Sequence, residues 1–88
     1  MEIKQTKRFS KAYKKLHANQ LADVNNAIAS VIASPEIGEQ KKGDLAWLRV
    51  YKFPVLNQLT LLGYEYTEAA LTFVDLGAHE NFYRDLKK

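Results

Sequence analysis

Two periods divide the chain. Between residues 7 and 33 apolar side chains recur at helical spacing, and between 44 and 76 they crowd into runs rich in aromatic, leucine and β-branched residues. Phe9, Ala12, Tyr13 and Leu16 fall at i, i+3, i+4 and i+7, which predicts one helical stripe, with Thr6 placed to cap it. Ahead of it, residues 2–5 alternate polar and apolar and predict an edge strand. His17-Ala18 interrupts the helical pattern. Asn19 then suits the N-cap of a second helix whose stripe is Leu21, Val24, Ile28, Val31 and Ile32. Ser34-Pro35 ends it, because a residue before proline is pushed out of the helical region. The two helices read as an antiparallel hairpin. Residues 36–43, EIGEQKKG, show no period and read as a mobile loop.

The second half predicts three consecutive strands, at 44–53, 56–66 and 70–76, in an antiparallel meander. Parity puts Leu48 and Val50 on one face and Trp47, Arg49 and Tyr51 on the other. In the next strand Leu59 and Leu61 oppose Gln58, Thr60 and Leu62. The apolar sets are expected to meet the helices, leaving Arg49, Tyr51, Gln58 and Thr60 on the open face. Gly77 permits a sharp exit from the last strand, and residues 81–88 read as a short terminal helix. The fold class is therefore α+β: an N-terminal strand and helical hairpin on an antiparallel meander, closed by a short helix.

Length and charge narrow this further. Eighty-eight residues form one domain, 1–88, which buries only about 60% of its unfolded surface. Without cysteine there is neither a disulfide framework nor a thiolate metal site, and two histidines at 17 and 79 make no recognisable ligand spacing. No glycine-rich phosphate loop is present, no run spans a bilayer, and residues 1–9 do not resemble a signal peptide. The expectation is a soluble, cytoplasmic protein with no metal and no cofactor. Net charge is +3, but its distribution is uneven: Lys4, Lys7, Arg8, Lys11, Lys14 and Lys15 crowd the start, and Lys41 and Lys42 follow in the loop. Such a run serves equally as a solvated helix face or as a surface for a polyanion.

The element order, with FSKAYKKL in the first helix, LRVYKF and LLGYEY on the first two meander strands and VDLGAHENFY at the end, resembles the RelE/ParE superfamily of toxins from type II toxin-antitoxin systems. Gly77-x-His79 with Tyr83 four residues on is similar to the terminus of the YafQ and HigB-like branches. The resemblance implies a RelE-like fold, a cognate antitoxin, and either ribosome-dependent cleavage of mRNA or, as in ParE-type members, poisoning of DNA gyrase. Fold alone does not choose between them, and an inactive antitoxin-binding module is a third reading.

Metal-independent RNA cleavage requires a 2′-oxygen driven onto phosphorus, charge stabilisation on the phosphate and a proton for the departing 5′-oxygen. His79 suits the proton transfer because an imidazole populates both states near neutrality. Arg49 suits the phosphate through its planar fork, and Tyr83 could orient it or stack on a base. Tyr51, Lys52, Gln58, Lys41, Lys42, Lys11 and Lys15 are the substrate-binding candidates, Lys52 ranking lower because parity sets it on the side of Leu48. Each has a plainer reading: a locally hydrogen-bonded histidine, a solubilising arginine, a packing tyrosine. Many RelE-like nucleases carry an arginine where this chain has Gln58, which can bond a phosphate but not neutralise it.

Overall fold

The helical period of the first half and the strand period of the second are both realised. The computed structural model describes residues 1–78 and Phe82. Strand β1 (Glu2–Gln5) leads into helix α1 (Lys7–Lys14) and helix α2 (Ala18–Ala33). A 3-10 turn at Pro35–Ile37, a two-residue strand β2 (Glu39–Gln40) and a second 3-10 turn at Gly43–Leu45 connect to β3 (Arg49–Val55), β4 (Gln58–Tyr66) and β5 (Ala70–Ala78). The sheet runs β1-β5-β4-β3-β2, with β1 parallel to β5 and the remaining pairs antiparallel. The terminal helix expected at 81–88 lies, apart from Phe82, outside the described residues.

Local chemistry explains most boundaries. The Thr6 hydroxyl oxygen accepts from the Phe9 N–H at 3.1 Å and donates to the Val74 carbonyl at 2.7 Å, so one side chain starts α1 and ties it to β5. The second helix begins one residue beyond His17, not at Asn19: the Gln20 side chain accepts the His17 N–H at 2.8 Å and satisfies a donor at the helix start. Leu56 and Asn57, both at positive φ, form the two-residue turn between β3 and β4.

Four expectations are corrected. Residues 36–43 are not a mobile loop; they contain a 3-10 turn and β2, which pairs with β3. Residues 44–48 are turn rather than strand, since the Ala46 and Leu48 N–H groups close 3-10 bonds. Gly77 does not end the strand, for β5 continues through it to Ala78 opposite β4. Most consequentially, the sheet faces are inverted. Phe53, Val55, Leu62 and Tyr64 meet Phe9, Val24, Ala27 and Val31 of the helices, while Leu48, Val50 and Leu61 form a second cluster on the opposite face with Leu45 and Phe82. Both faces of β3 and β4 carry apolar side chains, so alternation fixed the parity without choosing the side. The helices took the larger, aromatic set, where each fully buried side chain stabilises by roughly 1.5–3 kcal/mol. Phe82 is held on the other face because Gly63 has no side chain: a Cβ there would lie 2.5 Å from the Phe82 ring.

Candidate functional site

A groove of about 480 Å³ opens where α1 passes the ends of β4 and β5. Arg8 and Lys11 of the helix and Lys15 at its C-cap form one wall, and Gln58, Thr60 and Ala78 belong to the sheet side. The three cations occur at i, i+3 and i+7, the spacing that lines one helix face, so they form a basic row beside the apolar stripe of Phe9, Ala12 and Leu16. Lys11 and Lys15 are exposed, and Gln58 is exposed on the facing strand. Three of the sequence candidates, Lys11, Lys15 and Gln58, thus converge.

Inside the groove lies Asp75, a buried charged residue. It stands just past the last residue of β5 paired with β1, which is Phe73, and next to a bulge in the β4–β5 register. One carboxylate oxygen accepts the Leu76 N–H at 2.8 Å, and the other accepts from Arg8 Nε at 2.9 Å. A carboxylate removed from water requires such partners, and this one has both a backbone donor and a cation. Arg8 sits in the first turn of α1, where the helix dipole disfavours positive charge by roughly 0.3–1 kcal/mol; the charge-assisted bond to Asp75 offsets that cost. His79 and Tyr83 lie outside the described residues, but β5 carries the chain to Ala78 at the groove.

The remaining candidates are elsewhere. Arg49, at the opposite end of β3 from Val55, is about 20 Å along the strand from the groove. It lies on the helix-facing side of the sheet, not the open side expected, and donates to the carbonyls of Gly38 at 2.9 Å and Glu36 at 3.3 Å. Beside it the buried Tyr64 hydroxyl donates to the Pro35 carbonyl at 2.6 Å and accepts the Gly38 N–H at 2.9 Å. Burial raises the Tyr64 phenol above its ordinary value of 10.0, a rise opposed by the Gly38 hydrogen bond and the Arg49 charge and aided by Glu36. Tyr51 stacks on Phe53 and packs under the helices, not on an open face. Lys52, exposed and opposite Leu61 in the register, shares the face of Val50, as parity required. Lys42 is exposed, and Lys41 pairs with Glu39 at 3.2 Å, both beyond β2 at the far edge of the sheet.

Arg8, Thr60 and Asp75 complete the groove and were not among the sequence candidates. The spacing of Arg8 to Lys11 and Lys15 was a readable signal. For Asp75, the clue was an acidic residue inside an otherwise apolar strand, Phe73-Val74-Asp75-Leu76.

Residues 3–87 match a family model described as the ParE-like toxin of type II bacterial toxin-antitoxin systems. No curated protein sequence matches the chain. Among solved structures it is similar to a double mutant of the Escherichia coli toxin RelE in the free state, with a TM-score of 0.70, 16% identity, 98% of this chain and 94% of that chain covered. The E. coli RelBE toxin-antitoxin complex matches at a TM-score of 0.68 and 18% identity, covering 88% and 94%. A conserved hypothetical protein of Helicobacter pylori, HP0894, matches at a TM-score of 0.57 and 23% identity, covering 91% and 96%. At these identities the structural matches establish the RelE-like fold.

Proposed function

The chain belongs to the ParE-like toxin family of type II bacterial toxin-antitoxin systems, and on that footing we propose that it is a metal-independent, ribosome-dependent endoribonuclease that cuts mRNA and so inhibits translation. The observation that carries this reading is the groove: three cations on one helix face look across at Gln58 and Thr60, and the strand that ends there leads in sequence directly into His79. A polyanion is drawn to such a row of charge, and an imidazole beside a bound phosphodiester can give the 5′-oxygen its proton as the bond to phosphorus breaks. Tyr83 orients the phosphate or stacks on a base. Arg49 is assigned a different task from the one its sequence position suggested, because its guanidinium is engaged with backbone carbonyls far from the groove. The RelBE complex supports an antitoxin as partner, a segment that folds over the toxin surface as it binds.

The test is induction in bacteria, wild type beside His79→Ala, with transcript 5′ ends mapped within minutes. New cuts inside translated regions that disappear in the variant are expected. The ParE-like description of the family keeps a gyrase poison as the second reading, and growth arrest with intact transcripts and broken DNA would transfer the chain to it. No arrest in either strain would identify an inactive antitoxin-binding module.

A further inference from the structure

Asp75 raises a question that packing does not answer. A half-buried ion pair, with Asp75 covered and Arg8 reaching solvent, is weak evidence for stability, and a neutral asparagine could accept the Leu76 N–H equally. What only a carboxylate supplies is a charged hold on Arg8. The bond runs through Nε, which fixes the plane of the guanidinium about its own stem at the groove wall. Along the same face, Lys11 and Lys15 follow one and two turns later, a row about 10 Å long by helix rise. A stacked nucleic-acid strand carries a phosphate roughly every 3.4 Å, so the row is long enough for each of its three cations to face one phosphate. Gln58, across the groove, brings no charge of its own, and the helix wall supplies it.

We propose that Arg8, held by Asp75 and continued by Lys11 and Lys15, is a phosphate ladder that seats the backbone of single-stranded RNA in this groove. The proposal rests on the ribonuclease reading and names how the substrate is held. Asp75 is a positioning residue, acting through Arg8. Lys11 and Lys15 act as point charges, and Arg8 sets the register.

The experiment measures binding of a short 2′-O-methyl oligoribonucleotide to the purified full chain across a salt series; the blocked 2′-oxygen prevents cleavage. Three phosphate contacts predict that log affinity falls against log salt with a slope of about −2. Changing both Lys11→Gln and Lys15→Gln should flatten that slope by about 1.4 without altering the thermal melt. Arg8→Lys and Asp75→Asn should each keep the slope and weaken binding roughly tenfold, because charge remains while orientation is lost. A mere surface cation would show the reverse, with Arg8→Lys silent. Asp75 is buried, so its variant is read beside a melt, and the exposed lysine pair carries the test if it unfolds. Unchanged affinity and slope in the lysine pair would overturn the ladder, as would a groove that takes an acidic peptide but no RNA. Failure is separable from that of the nuclease reading: cuts that persist in cells when all three cations are replaced sink the ladder alone. Oligonucleotide held by the ladder with no cuts in cells sinks the nuclease alone.

Discussion

The two ends of the β3–β4 hairpin, one closed over by the segment between α2 and β3 and the other, at the Leu56-Asn57 turn, open to the groove, use the same side-chain chemistry to opposite effect. At the closed end, Arg49 and Tyr64 direct every bond described for their polar heads at the segment between α2 and β3. They satisfy carbonyl and N–H groups that the turn at Pro35–Ile37 and its exit leave unpaired. At the open end, Arg8, Lys11 and Lys15 stand around a cavity, and Asp75 steadies the first of them. An arginine becomes a staple or a binding group according to what its guanidinium meets. Strand parity gives only the face on which it starts.

Three substitutions sharpen this contrast. The largest effect is expected from Gly38→Ala, whose Cβ would lie 2.6 Å from the Tyr64 hydroxyl and 2.9 Å from its ring, against a phenol already pinned on two sides. Overpacking of this kind costs roughly 1–3 kcal/mol, and the upper end is expected in a urea melt because the ring has nowhere to go. A loss below about 0.5 kcal/mol would show that the closed end is looser than its geometry. Tyr64→Phe comes next, at roughly 1–3 kcal/mol for leaving the Gly38 donor and the Pro35 acceptor unpaired. It should also alter the alkaline limb of stability. A raised phenol pKa means the folded state holds its proton longer than the unfolded chain, so wild-type stability is complete below about pH 10 and falls as pH rises through the higher folded value. The phenylalanine variant should show a shallower alkaline fall; an identical pH profile would break the linkage. Smallest is Arg49→Lys, expected to cost about 1 kcal/mol through the lost carbonyl bonds while the salt dependence of RNA binding stays as in wild type. Loss of toxicity in that variant with its melt intact would return Arg49 to a functional site and dissolve the distinction between the two ends.

Much of the architecture was legible because it is local. Residues 2–5, the Thr6 cap and the stop at Ser34-Pro35 each depend on a few neighbours. The sheet faces were not legible, because Leu48 and Val50 compete with Phe53 and Val55 on nearly equal terms until the helices choose. Residues 44–48 hold enough leucine and tryptophan to look like strand, yet Gly43 at positive φ turns the chain first. In the groove, charge pointed to Lys11 and Lys15, and strand parity with the RelE-like resemblance pointed to Gln58. Arg8 could have been added from helical spacing. Asp75 could not be matched to it, since nothing local in the sequence joins residues 67 positions apart.

That separation has a consequence in time. Ribosomes deliver the chain from the N-terminus, so α1 emerges long before β5, and the row of cations exists while the carboxylate that orients it is still unmade. β1 likewise waits for β5, its partner in the sheet. The groove between α1 and the ends of β4 and β5 is therefore completed among the last events of folding, only once the final strand has joined.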